Sequence, residues 1–228
     1  MRQLLIAGAG GFARETAAAV YAINEQRPTW HLLGLLDDDP ALHGQRRSGL
    51  NILGGLDVAR AHPEAAVVVC VGNPRNYTTR KQIVERLALA QERYATIVHP
   101  SVEAGAGCTF GPGSVLLAQV ALTADVSVGA HVAIMPQTVL THDDVVHDYA
   151  TIASGVRLGG SVAVAQGAYI GAGALVRESV RVGEWAQVGL GSVVLQDVPP
   201  GEVWVGNPAR YLRDAPVQMS LTNQGGKQ

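Results

Sequence analysis

From residue 98 onward the chain repeats in sixes. Every sixth position, from Val98 through Ala104, Phe110, Leu116 and Leu122 to Val194, is apolar, seventeen in a row. Four residues after each stands a small or β-branched side chain, and Asp144 is the one departure. The residue directly after is Gly at seven of these positions, as a tight corner wants. A strict short period is the signature of a β-solenoid. Three sides of six residues make coils of about 18 residues, so the run predicts between five and six coils. With strands about 4.8 Å apart, the prism is roughly 27 Å long.

Before residue 98 the pattern is different. "LLIAG" reads as a short buried strand, and "GAGGFARETAAAVYAINEQ" as a Gly-rich turn opening a helix. "HLLGLLDD" is a second strand ending in acids, and "DVARAHPEA" a short helix. "AVVVCVG" is a third strand, followed by a second long helix in "NYTTRKQIVERLALAQE". Strands alternating with helices predict a small parallel sheet. The segment is too short for a six-stranded dinucleotide fold and matches one mononucleotide-binding half. The predicted architecture is therefore an α/β half-Rossmann domain over residues 1–95 and a parallel β-helix over 96–214. The segment 215–228 is expected to be a flexible tail.

Composition narrows the function classes. The 228 residues are 47% hydrophobic with a formal net charge of -2, so no basic surplus points to nucleic acid. No apolar run reaches membrane-spanning length and the start lacks a signal-peptide pattern, which makes the cytoplasm the expected location. Cys70 and Cys108 lie far apart in apolar segments and are read as thiols rather than a disulfide or metal pair.

The candidate chemistry lies in "THDDVVH", residues 141–147, two histidines and two aspartates within a run of Gly, Ala and Val. His142 stands two residues after the inward Leu140 and is expected to point outward, with Ala124 and Gly160 above and below it in the neighbouring coils. Small neighbours leave room over an imidazole, and the adjacent Asp143 can hold its tautomer and raise its basicity. Asp144 occupies an inner position, where an acid needs partners. In the N-terminal domain, "GAGGFA" between a strand and a helix fits G-x-G-x-x-A, a turn that lets a phosphate approach a helix N-terminus. A redox reading would want an acid about 20 residues on to hold a ribose. Asp37 stands further away than that, so a nucleotide-sugar site is favoured over bound NAD.

The chain resembles the two-domain sugar acetyltransferases among the hexapeptide acyltransferases, the group that includes sialic-acid O-acetyltransferases and nucleotide-linked amino-sugar N-acetyltransferases. The matching pieces, in order, are "IAGAGGFARE", "LLDDD", "VVCVGN", "IVHPSV", "THDD", "GAGALV", "VGLGSVV" and "DVPPGEVWVGNPAR", which span nearly all of residues 2–210. The resemblance implies a left-handed coil, a homotrimer, acetyl-CoA as co-substrate and no metal. It also implies His142 as general base with Asp143 beside it. Backbone N–H groups at Thr151, Ala172 and Leu190 would hold the coenzyme in a groove between subunits. The sugar nucleotide would rest at Gly8, Gly10 and Gly11, near Asp37, Asp38 and Asn73. The sequence departs from the family pattern at Met135, where several relatives carry Asn, at Thr151, often His, and at Phe12, often His.

The expected function is acetylation of a nucleotide-linked amino sugar for bacterial surface glycans. Alternatives are O-acetylation of a sialic acid or another sugar, a non-catalytic trimeric scaffold, and a zinc enzyme like the β-helix carbonic anhydrases, in which His142 and His147 would be ligands. The zinc reading wants a third ligand about one coil earlier, where "ALTADVSV" offers no histidine.

Overall fold

The computed structural model describes residues 1–216. Apart from Ala215 and Pro216, the expected tail lies outside the described residues. The N-terminal sheet contains β1 (Arg2–Ala7), β2 (Trp30–Leu36), β3 (Arg46–Arg47), β4 (Leu50–Gly54) and β5 (Ala66–Val69), in the order β3-β4-β2-β1-β5. All neighbours pair parallel except β3 with β4. Helices α1 (Gly11–Gln26), α2 (Val58–Ala61) and α3 (Thr79–Leu87) connect and cover the strands.

The sequence reading missed the hairpin and overextended a helix. In β4, Leu50, Ile52 and Gly54 are buried and alternate with exposed Asn51 and Leu53, the pattern of a half-covered strand. Its turn, Ser48–Gly49, has positive φ at both residues (47° and 79°), as a two-residue hairpin loop requires. Helix α3 stops at Leu87 because Ala88 takes the left-handed conformation at φ 47°.

The repeat region forms a three-sided parallel β-helix of two-residue strands. The first side stacks strands from Ile97–Val98, Val115–Leu116 and Ala133–Ile134 to Thr151–Ile152, Tyr169–Ile170 and Gln187–Val188. The second side runs from Glu103–Ala104 through Val139–Leu140 to Val193–Val194, and the third from Thr109–Phe110 through Val145–Val146 to Arg181–Val182. Partners along each stack are one coil apart, as in Ala133 with Thr151 and Val145 with Ala163. The sixfold apolar series and the small series fill the interior together: Leu116, Ile134, Ile152 and Ile170 are fully buried, as are Val126, Val156 and Val162. Each such side chain stabilises the fold by about 1.5–3 kcal/mol relative to exposure. Strands Glu202–Gly206 and Ala209–Asp214 close the end of the first side as an antiparallel pair.

The N-terminal domain sits on the first side. The α1 face of Ala13, Ala17 and Val20 shares one apolar cluster with Leu4 and Ile6 of the sheet and with Ile97, Val115 and Leu117 of the solenoid. Tyr77 donates its hydroxyl to the carbonyl of Trp185 at 2.7 Å, a second anchor nearly four coils further along.

Candidate active site

Between the two domains lies a cavity of about 280 Å³. Phe12, Ala133, Met135, Tyr169 and Ala172 supply apolar wall, and Asn73, Arg80, Thr151 and Ser154 supply polar groups. Among the described residues, none that lines it is acidic. Asn73 caps its own loop, its Oδ1 accepting from the N–H groups of Arg75 and Asn76 at 2.9 and 3.0 Å.

Arg80 was not a sequence candidate. It is 2% exposed and sits on the buried stripe of α3 with Ile83 and Leu87. One nitrogen, Nη2, donates to the carbonyls of Tyr149 (2.7 Å) and Ala150 (3.0 Å) and to Thr151 Oγ1 (2.8 Å). Nε is buried without a partner, and among the described residues no carboxylate pairs with the guanidinium. Burial pulls its pKa down to about 10, which leaves it charged at neutral pH. The available signal was its spacing: an arginine three and seven residues before two buried apolar positions on one helix face.

A second cavity of about 200 Å³ is lined by Gly8, Asp37, Asp38, Leu56 and Thr79, with Leu36, Val71 and Ile83. Gly8 has φ 122°, and a Cβ there would stand 2.6 Å from the Cys70 carbonyl, so the turn after β1 requires glycine. Gly10 and Gly11 face open space instead. Gly10 is the N-cap of α1 and provides no side-chain cap, so the first-turn N–H groups are free to meet an anion. The two acids are tied into the fold. Asp37 accepts from Ala9 N at 3.1 Å and from Asp39 N at 3.1 Å. Asp38 accepts from Leu56 N at 3.0 Å and pairs with Arg86. Burial works to raise the Asp38 carboxyl, but the Leu56 N–H and Arg86 outweigh it and hold the pKa below the ordinary value.

His142 lies at the corner between the second and third sides. Its Nδ1 is 2.8 Å from Asp143 Oδ2, and the pair is exposed. Asp143 adopts φ 62°, the left-handed conformation that turns its carboxylate back to the ring. The ring lies over Gly160, where a Cβ would stand 2.4 Å from Cε1 and Nε2. Asp144 is fully buried and accepts from Thr141 N and Val162 N, both at 2.8 Å. Burial raises its pKa to about 6 against those two hydrogen bonds. It staples one coil to the next and shapes the corner carrying His142. His147 lies at the next corner, beyond the strand Val145–Val146, near Asp148 and Glu184. Among the described residues of one chain, no three His, Cys, Asp or Glu side chains converge as a metal site would require.

Thr151, Ala172 and Asn73 thus share one cavity, and Gly8, Asp37 and Asp38 share the other. His142 reaches neither within one chain, because the whole second side separates its corner from the cavity. The expected column of coenzyme-binding N–H groups needs one correction. Thr151 N donates to the Ala168 carbonyl at 2.9 Å and is not free. The residue in register with Ala172 and Leu190, one coil earlier, is Ser154. Among the described residues, Ser154, Ala172 and Leu190 make no backbone N–H hydrogen bond, and Leu190 is 83% exposed.

Residues 3–87 match the family described as the PglD N-terminal domain. A search of curated proteins found no match. Among solved structures, the acetyltransferase domain of PglB from Neisseria gonorrhoeae FA1090 in complex with acetyl coenzyme A is 28% identical, with a TM-score of 0.82, over 92% of this chain and 99% of that one. PerB from Caulobacter crescentus in complex with CoA and GDP-perosamine is 25% identical, with a TM-score of 0.80, over 92% and 97%. WeeI from Acinetobacter baumannii AYE is 25% identical, with a TM-score of 0.76, over 93% and 100%. The fold shared with them is a Rossmann-like domain followed by a left-handed parallel β-helix.

Proposed function

We propose that this chain is a hexapeptide-repeat acetyltransferase that transfers the acetyl group of acetyl-CoA to the amine of a nucleotide-linked sugar in glycan biosynthesis. The observation that carries this reading is full-length likeness, in both domains at once, to a protein whose structure holds CoA and GDP-perosamine. The nucleotide lies over the Gly-rich turn and the cavity of Asp37 and Asp38, with its phosphates toward the free N–H groups at the start of α1. The sugar reaches into the cavity between the domains. The coenzyme arm follows Ser154, Ala172 and Leu190, whose free N–H groups can hold its amide carbonyls.

His142 acts as general base and Asp143 orients it. An ammonium cannot attack a thioester, so the amine must lose a proton to a base within about 3 Å. Because His142 and the cavity lie on different faces of one chain, the base belongs to the neighbouring copy in a homotrimer. A threefold ring closes such a head-to-tail contact. Acetyl-CoA is a cytoplasmic metabolite, which places the reaction in the cytoplasm. Among the described residues, no helix is long and apolar enough to cross a membrane. The test is turnover: acetyl-CoA with UDP-, GDP- and dTDP-linked 4-amino sugars, with the product followed by mass. A product heavier by one acetyl group from at least one of them supports the reading. Release of CoA with none of them, or acetylation of sugar hydroxyls alone, overturns it.

A further inference from the structure

The buried guanidinium of Arg80 is not explained by packing alone. A cation removed from water without a carboxylate costs several kcal/mol in fold stability. A methionine of similar length would fill the same space without that cost. What the charge does is visible at Thr151. The Thr151 hydroxyl accepts from Arg80 Nη2 at 2.8 Å, and among the described residues its own hydrogen has no acceptor. A hydroxyl that accepts from a cation becomes a stronger donor. Thr151 lines the cavity beside Ser154 and Ala172, two of the residues whose N–H groups are free. The N–H of Thr151 is spent on Ala168, so its hydroxyl is the polar hydrogen left to face the cavity.

We propose that the Thr151 hydroxyl, polarised by Arg80, donates a hydrogen bond to the thioester carbonyl oxygen of acetyl-CoA during acetyl transfer, an inference that rests on the acetyltransferase reading above. The amine lone pair forms the C–N bond at the carbonyl carbon, and the C=O π pair moves onto oxygen. The amine proton passes to His142 of the neighbouring copy. The C=O then reforms as the C–S bond breaks, the pair leaves with sulfur, and the imidazolium proton completes the CoA thiol. Negative charge develops on the carbonyl oxygen between these events. Thr151 is the donor aimed at it and Arg80 is a positioning residue behind that donor.

The test uses the full chain with Thr151→Val, Thr151→Ser and Arg80→Met. Thr151→Val keeps the shape and leaves Arg80 both backbone acceptors, so it separates chemistry from domain docking. The expected result is a kcat lower by roughly 10–10²-fold with little change in KM for acetyl-CoA, and recovery of most of that loss in Thr151→Ser. A second readout needs no sugar: the carbonyl stretch of ¹³C-labelled acetyl-CoA bound to the wild type lies at lower frequency than when bound to Thr151→Val. Arg80→Met lowers kcat at least as far. A Thr151→Val protein with wild-type kcat and an unshifted carbonyl band overturns this inference while the acetyltransferase reading stands. A wild type that acetylates no nucleotide-linked amino sugar overturns both.

Discussion

The imidazole of His142 lies over Gly160, which has no side chain to displace it. A Cβ at residue 160 would press to 2.4 Å from Cε1 and Nε2. Gly160→Ala is therefore expected to turn the ring off its line while leaving the fold intact, because the ring is exposed. The predicted loss is roughly 10–10²-fold in kcat, checked by steady-state kinetics beside a melting curve. His142→Ala should lose roughly 10²–10⁴ in kcat with KM for acetyl-CoA little changed, since the proposed coenzyme contacts are backbone groups away from His142. Asp143→Asn should cost less than His142→Ala in kcat, read in the same steady-state assay. The His142–Asp143 pair was legible because it interrupts a strict repeat. Arg80 was not, because its role depends on the solenoid carbonyls of Tyr149 and Ala150. Those acceptors are some seventy residues away in sequence and meet Arg80 only after the domains dock. Thr151 was legible as a position, but which of its atoms is free depends on the ladder bond to Ala168.

At the scale of elements, the solenoid was readable from its period, because each two-residue strand repeats the same burial and any slip would expose the interior. The hairpin of β3 and β4 was not, since two residues of strand carry no period. The seam between the domains holds a group whose titration reports on docking. His131 is 5% exposed, stacks on Tyr149 at 5.2 Å and meets Tyr94 edge-on at 4.6 Å. Burial, with the charge of Arg80 adding to it, presses its pKa down to about 4 from an ordinary 6.5. Between those values the unfolded chain binds the proton and the folded chain does not, so stability falls as pH drops from 6.5 toward 4. Asp144 acts in the opposite sense. Its pKa is raised from 3.8 to about 6, so it contributes more stability at pH 4 than at pH 7. Melting temperatures between pH 4 and 7 should separate the two. His131→Phe keeps the aromatic stack and should remove the acid-side loss. Asp144→Asn should remove the opposing slope, with an overall cost because one of the N–H groups of Thr141 and Val162 loses its acceptor.

For the whole molecule, the cavity between the domains and the column of free N–H groups share Ser154 and Ala172, and His142 lies at another corner of the prism. In the proposed reaction one chain carries the base and the cavity but does not bring them together. The sequence could place His142 on a corner from its register, but which corner the N-terminal domain covers depends on docking through α1 and Tyr77. The account therefore rests on sites shared between copies, and mixing two inactive variants tests this most directly. His142→Ala lacks the base, and Ala172→Trp blocks the cavity. Each alone should be inactive. Unfolded together at equal amounts and refolded, they should form mixed trimers in which roughly one site in four pairs an intact base with an intact cavity. The account predicts acetylation of the nucleotide-linked amino sugar at about a quarter of the wild-type rate. Mixed trimers as inactive as either parent would mean that base and cavity work within one chain, contradicting the account.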